Sequence, residues 1–583
     1  MQEAKIVEKK VIIRIKDKIC ETADDLFESS LFNRIIKKCV GNLQQSKSAL
    51  LNIFGEQDIN DEQIAALTKT LQFLSKMDSS YVMRAVKDSK GFFQDTHLFY
   101  DFVEYLYNYW RSYDRFIICN SEGDILDKRP YRTFNDTVER LTHLIRKVYR
   151  DIEENLTGNH PRIYRQLRAG AEIATIALPK DIAFPEIYQK KLQRIPIIRQ
   201  VLLNPPLVLD PPMNKRTGRF EKTDKNPLEV FDIAEDEYLC YPAKVGPLLI
   251  LIYFHERIFG LGFSLSNLFE LAEDNDLTKK PDAVYIYGAP EGSLDSLASF
   301  PTVFYDDEKN DMIVAAVPRD NHFGYFGYLK KMVLTLHNIK MMKLNKMPFH
   351  GALIKFNLGK NKERVVLIIG DTGAGKSETL EAFRTLDDSN IRDMIVIADD
   401  MGSLDIDDNG NVIGYGTEIG AFLRLDDLQP GYAFGQIDRA IFMSPSKTNA
   451  RLVIPITTFD NVIKGHKIDC VLYANNYEEI DDDHPILEQF SNATDAIKVF
   501  KDGAVMSKGT TTSTGLVHSY FANIFGPPQY REIHSAIAQR FFDAFFKNNM
   551  FIGQMRTRLG IAGFEYKGPS EAAKELLNLL LSI

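Results

Sequence analysis

Cysteine is scarce in this chain: Cys20, Cys39, Cys119, Cys240 and Cys470 are its only five, and no two form a CxxC step. That spacing argues against a zinc-ligand set and a disulfide frame, and it fits thiols of a reducing, cytoplasmic compartment. Long apolar runs are missing too. Stretches such as Pro247 to Phe254 fall far short of the ~20 residues that cross a bilayer, and the opening MQEAKIVEKK has no apolar signal core, so no membrane partner is expected. There is no basic excess. With 71 Lys and Arg against 80 Asp and Glu the net charge is −9, which argues against a general nucleic-acid binder. Tryptophan occurs once, at Trp110, and neither internal repeats nor a long low-complexity tract is present.

What is there is an ordinary globular composition, 44% hydrophobic and 26% charged, over 583 residues, long enough for two to four domains. Residues 1–195 read as mostly helical. Leu141, Leu144, Ile145, Val148, Tyr149 and Ile152 recur at helical spacing, and the aromatic stretch from Phe92 to Phe116 reads as core before it reads as a binding site. Residues 196–345 read as an α/β lobe. It opens on a connector broken by Pro196, Pro205, Pro206, Pro211, Pro212 and Pro227, which carries Lys215, Arg216, Arg219, Lys222 and Lys225. That basic run is either a solvated loop or an anion-binding one. The β-type runs LLILIYF, AVYIYG, TVFYD and MIVAAV follow, then a helix from Tyr325 through Asn338.

Residues 346–583 hold the densest motifs. MIVIADD reads as a strand ending in Asp399 and Asp400. Asp405, Asp407, Asn409 and Gly410 imitate an EF-hand opening, but Gly416 stands at the twelfth position, so Asn409-Gly410 reads as a tight hairpin turn. The glycine–threonine tract Gly509 to Gly515, the segment FANIFGPP (Phe521 to Pro528) and a closing helix, SEAAKELLNLLLSI, complete the region.

Within it, VVLIIGDTGAGKSET (Val365 to Thr379) places an apolar run directly before Gly370, Gly373, Gly375, Lys376 and Ser377. Glycines let backbone N–H groups converge on phosphate oxygens, Lys376 adds a mobile positive charge, and the Ser377 hydroxyl can ligate Mg²⁺. Asp371, Thr372, Ala374 and Glu378 fall in the same nucleotide-binding stretch. The plainer reading is a glycine-rich turn in a surface loop. A strand before the motif and a helical SETLEAF after it favour the phosphate loop.

The order of motifs resembles that of the phosphoenolpyruvate carboxykinases, most closely the ATP type. Tyr325-Phe-Gly-Tyr-Leu-Lys-Lys331 is similar to the family's Y-x-G-E-x-K-K, and Met347-Pro-Phe-His350 to its metal-binding M-H element. Gly370 to Ser377, Ala398-Asp-Asp400, Glu418 to Arg424, Asn449-Ala-Arg451 with Pro455, and FANIFGPPQYREIH follow in the family's order. The resemblance covers roughly residues 205 to 560. Departures are Tyr328 for a glutamate, Met401-Gly402 after the aspartates, Ile419 within the E-G-G element and Arg424 for its lysine. The phosphate loop and His350-Gly-Ala-Leu are equally similar to HPr kinase/phosphorylase, which shares this kinase fold.

The resemblance implies a mixed α/β fold: a P-loop kinase domain with a mixed sheet, a preceding α/β substrate lobe and an added helical N-terminal region. It implies reversible conversion of oxaloacetate and a nucleoside triphosphate to phosphoenolpyruvate and CO₂, with ATP or another nucleotide as co-substrate and Mn²⁺ and Mg²⁺ as cofactors. Lys331, His350 and Asp400 would hold one metal, Lys330 depressing the Lys331 pKa, and Ser377 the nucleotide's metal with Asp399 nearby. Lys376 would grip the β/γ phosphates, Arg424 would stand for the family's nucleotide-side lysine, and Arg451 would bridge the transferring phosphoryl group and the substrate. Arg219, in a T-G-R context, would take the substrate carboxylate, with Arg216 as competitor, and Tyr325 and Thr372 would line the substrate pocket. Two other readings stay open: a kinase of this fold with a protein serine or small-molecule acceptor, or with pyrophosphate as donor, and a nucleotide-sensing regulatory protein.

Overall fold

A computed structural model describes residues 3–15, 20–55, 59–120, 130–359, 362–386, 390–425, 434–507 and 515–583. The tract at 509–514 lies outside them. The chain is mixed α/β and divides into two compact units, 1–178 with 198–204, and 179–197 with 205–583. No helix among the described residues is long and apolar enough to cross a membrane. The cysteines form no disulfide with one another among the described residues, and four of the five are buried.

The first unit is helical where the spacing predicts, within Pro130–Thr157, and also over the aromatic stretch Thr96–Arg111, but it is not mostly helix alone. It also contains a sheet: an antiparallel hairpin of Glu3–Val7 and Lys10–Ile15, then parallel strands Asp114–Cys119 and Ile173–Leu178. Apart from the edge strand Glu3–Val7, these strands are short, rich in β-branched residues and mostly buried on both faces, so they show no alternation to separate them from helix. The aromatic stretch is core: Phe92, Phe99 and Phe102 are buried, and the Trp110 indole N–H donates to the Ala169 carbonyl at 2.6 Å.

The two lobes expected to divide at residues 345 and 346 belong together to the second unit. The helix Phe326–Lys343 explains this. It is buried on nearly all sides, as a helix without a polar face must be, and it packs against both the strand Met312–Pro318 and the strand Met347–Leu358. The first of these belongs to a mixed sheet ordered Tyr238–Val245, Leu248–His255, Ala283–Ala289, Met312–Pro318, Val303–Asp307 and Glu221–Thr223. The second lies inside an eight-stranded sheet. There it sits between Ile391–Ile406 and Lys362–Ile369, beyond which Cys470–Asn475 and Phe551–Arg556 continue. A four-stranded sheet orders Gly420–Arg424, Arg451–Pro455, Ile441–Met443 and Leu207–Leu209.

The EF-hand imitation is a hairpin turn. Asp407 Oδ1 accepts the N–H groups of Asn409 and Asn411 at 3.0 and 2.8 Å, and Gly410 has φ +80°. Asp407 caps the turn, as Asx geometry predicts.

Candidate functional site

The run Val365–Ile369 is buried in the strand Lys362–Ile369, which pairs antiparallel with Met347–Leu358 and parallel with Cys470–Asn475. The chain leaves this central position at Gly370 and enters the helix Lys376–Thr385. Gly373 and Gly375 have φ +79° and +96°. A Cβ at Gly375 would stand 2.4 Å from Thr557 Oγ1, so the turn requires glycine on both counts. Lys376 is buried, and its ammonium donates to the carbonyls of Gly370 at 2.5 Å and Asp371 at 2.9 Å. The Thr372 N–H donates to Asp371 Oδ1 at 2.7 Å, and Ser377 and Glu378 lie half-buried in the helix's first turn. Two residues that motif reading missed fasten the loop: Asn476 Nδ2 donates to the Gly373 carbonyl at 2.9 Å and the Thr557 hydroxyl to the Ala374 carbonyl at 2.7 Å.

The loop begins beside the histidine. The Gly370 N–H donates to the His350 carbonyl at 3.3 Å. Register sets His350 opposite Met401 and Gly351 opposite Asp400, an offset of one that would put the His350 and Asp400 side chains on opposite faces of a regular ladder. The strand departs from that regularity at Asp400, where φ is +155°, and the two side chains meet. A Cβ at Gly351 would meet the Ile368 carbonyl oxygen at 2.3 Å, which is a packing reason for glycine after His350.

His350 Nδ1 bonds the Ala522 carbonyl, so Nδ1 carries a proton. Nε2 faces Asp400 Oδ1 at 3.0 Å and needs either a second proton or a cation between the two lone pairs. A separation of 3.0 Å also matches adjacent corners of an octahedron with ligand bonds of ~2.1 Å. Among the described residues no three His, Cys, Asp or Glu side chains gather to hold a metal; the third donor would be a lysine. The Ala522 carbonyl is presented by an unusual turn in which Phe521, Ala522 and Asn523 have φ +45°, +56° and +62°. Non-glycine residues in this region cost roughly 1–2 kcal/mol each, and nothing in the composition of FANIF signals them.

Lys330 and Lys331 leave the helix Phe326–Lys343 in different directions. Lys330 Nζ lies 2.6 Å from Asp400 Oδ2 and 3.3 Å from Glu418 Oε1. Burial would lower the Lys330 pKa, but the Asp400 and Glu418 charges outweigh it and hold it above the lysine range. Burial likewise would raise Asp400, yet Lys330, His350 and Lys331 hold it well below the carboxylate range. Burial pushes Glu418 up to about 8, against the pull of Lys330. Asp399 acts on Lys330 and Glu418 from the neighbouring position in the strand Ile391–Ile406. Lys331 is the opposite case: burial first and the Arg216 charge second push it down to about 8. Its ammonium lies 4.7 Å from the centre of the Phe525 ring. An amine so depressed is available as a neutral ligand far below the ordinary lysine pKa.

The arginine assignment changes. Arg219 is exposed, whereas Arg216 is drawn in. The Arg216 guanidinium stacks 5.0 Å from the Phe220 ring centre and 5.9 Å from that of Phe525, and Nη1 donates to the Gly218 carbonyl at 2.8 Å. The departure at Tyr328 explains how. Its hydroxyl accepts the Thr217 N–H at 3.0 Å and donates to the Thr217 carbonyl at 3.1 Å, pinning the residue next to Arg216. Arg451 stacks 5.3 Å from the Phe422 ring centre and bonds the buried Tyr325 hydroxyl together with Asn449. The Nε atoms of Arg216 and Arg451 are buried with no hydrogen-bond partner, an available donor on each. Arg424 lies opposite Arg451 on the four-stranded sheet rather than on the loop, and Thr372 is exposed at the loop's crest.

The expected strand end is not there: the strand Ile391–Ile406 runs six residues past Asp400, because it stays paired with Met347–Leu358 through Leu404. The structure thus gathers Lys330, Lys331, His350, Asp399 and Asp400 around the middle of that strand, with Glu418 and Arg216 added. The phosphate loop starts one hydrogen bond away. Compared with family models and with curated proteins, the chain matches none.

Proposed function

We propose that this protein is a phosphoenolpyruvate carboxykinase-like enzyme of the P-loop kinase fold, converting oxaloacetate and a nucleoside triphosphate to phosphoenolpyruvate and CO₂. The observation that supports it most is the meeting of two half-sites: the Gly370 N–H on the His350 carbonyl joins a phosphate-gripping loop to a His–Asp–Lys donor set.

Lys376 and the loop N–H groups hold the β and γ phosphates, and the start of the helix Lys376–Thr385 adds its dipole. Ser377 would hold the nucleotide's Mg²⁺; His350 Nε2, Asp400 and Lys331 would hold a second divalent ion. When bound, such an ion supplies Lewis-acid stabilisation of negative charge developing on a substrate oxygen. Arg216 and Arg451 take the substrate's carboxylates and the γ-phosphoryl group by forked hydrogen bonds. As the carbon–carbon bond to CO₂ breaks, its electron pair moves onto the carbonyl oxygen, which then attacks the γ-phosphorus as the diphosphate leaves. Stacked Phe422 and Phe525 hold the arginine and lysine heads in orientation, and positioning dominates such transfers.

The test is an assay panel with oxaloacetate, Mn²⁺ and Mg²⁺, and ATP, GTP or pyrophosphate in turn, measuring phosphoenolpyruvate. Product with one donor and its loss in His350→Ala is expected. No product with any donor sinks the reading; nucleotide hydrolysis persisting in that case would move the acceptor to a protein serine or small alcohol.

A further inference from the structure

The first unit holds a polar cavity of about 240 Å³ against the helices Thr96–Arg111 and Pro130–Thr157 and the segment 161–167. On its lining, the Glu104 and Glu153 carboxyls hydrogen-bond each other, and the Tyr100 hydroxyl donates to Glu153 Oε1 at 3.0 Å. Two carboxyls can share a bond only when one is protonated. Burial and the Glu153 charge accordingly push Glu104 up to about 7. Arg146, Arg150 and Arg165 line the same cavity. Three guanidinium groups against a pair that carries one negative charge leave it positive.

Two of the lining residues each keep a buried side-chain atom without a hydrogen-bond partner: Glu104 Oε1, an acceptor, and Arg146 Nε, a donor. Buried polar atoms are rarely left so, and each asks for a complementary group. A ligand that answers both must bring a hydrogen-bond donor to the glutamate and an acceptor to the arginine. The volume of about 240 Å³ holds about eight groups at roughly 30 Å³ each.

We propose that this cavity binds a small organic anion that also carries a hydrogen-bond donor. Its carboxylate or phosphate lies on Arg146, Arg150 and Arg165, and its hydroxyl or amine on the Glu104–Glu153 pair. Hydroxy acids and amino acids share this chemistry and differ in the donor.

The experiment is titration calorimetry on the full chain with L-malate, L-aspartate and succinate as probes. At least one organic acid binds at submillimolar concentration, and malate against aspartate tells hydroxyl from amine. Arg165 is exposed, so Arg165→Ala leaves the fold intact and weakens binding at least tenfold; Glu104→Ala weakens it at least fivefold. Arg216→Ala leaves it unchanged. Absence of binding by both acids overturns the proposal, as does equal or tighter binding of succinate, which carries no donor, or affinity unmoved by Arg165→Ala. Loss in Arg216→Ala overturns it too, by placing the probe at the substrate site, and leaves the carboxykinase reading standing.

Discussion

Asp400 and Glu104 are both carboxyls drawn out of water, one in each unit, and they are driven in opposite directions. Asp400 has Lys330 at 2.6 Å and is held well below the carboxylate range. Glu104 has another carboxyl as its nearest charged partner and is pushed up to about 7. Burial acts the same way on both; the partner's sign decides the outcome. The cluster around Asp400 is a set of fixed opposite charges, to which the proposed function assigns the holding of cations and phosphates. The Glu104 pair stores a proton instead. One chain therefore contains a site preorganised by opposite charges and one held together by sharing.

The strongest way to break the contrast is Lys330→Met. It removes the cation from between Asp400 and Glu418 and leaves two buried carboxyls facing each other. Breaking a buried ion pair from one side costs about 3–5 kcal/mol, and chemical denaturation of the second unit should show a loss of that size. A change below about 1 kcal/mol would mean that Asp400 is not balanced by Lys330.

Tyr328→Phe probes the same cluster more gently. It removes the hydroxyl that both accepts from and donates to Thr217, leaving a backbone N–H and carbonyl short of partners at a cost of about 1–3 kcal/mol. Arg216 then loses its tether. The expected result is a KM for the carboxylate substrate raised several-fold with kcat changed less. Unchanged KM would return the role to Arg219.

How much of this was legible in the sequence follows from what each feature depends on. The strand–loop–helix at Gly370 is local, so the glycine spacing, the apolar run before it and the helical SETLEAF after it together located it. The order of Lys331, His350, Asp400 and Arg451 was legible because each sits in a short motif. The choice of Arg216 over Arg219 was not, because it turns on a hydroxyl 111 residues away in sequence. The strands of the first unit were missed because runs such as VIIRI and IATIAL carry no period that distinguishes strand from helix. The Glu104–Glu153 pair joins two helices and leaves no local pattern.

For that pair the prediction concerns pH. Glu104 in the folded protein titrates near about 7 against an ordinary 4.5, so the protonated form is favoured by folding. Its contribution is fully present below pH 4.5 and is lost as pH rises through about 7. Allowing for solvent screening of a half-buried group, the stability of the first unit should fall by about 1–2 kcal/mol across that window. Glu104→Gln, neutral throughout, should flatten the slope; an equal slope in the variant would assign it to other groups.

The smallest effect tests the turn that orients His350. Ala522 holds φ +56° between two other residues with positive φ, a conformation glycine adopts without penalty. Ala522→Gly relieves roughly 1–2 kcal/mol of left-handed strain and gives back about 0.4–1 kcal/mol through a freer unfolded chain. A net gain of about 0.5–1 kcal/mol is expected in denaturant titration. The carbonyl that accepts from His350 Nδ1 is a backbone group and survives the substitution, so activity should be retained if that hydrogen bond alone sets the ring. Greater stability together with weaker Mn²⁺ binding would show instead that the stiffness of the strained turn, beyond the bond it presents, keeps Nε2 aimed at Asp400.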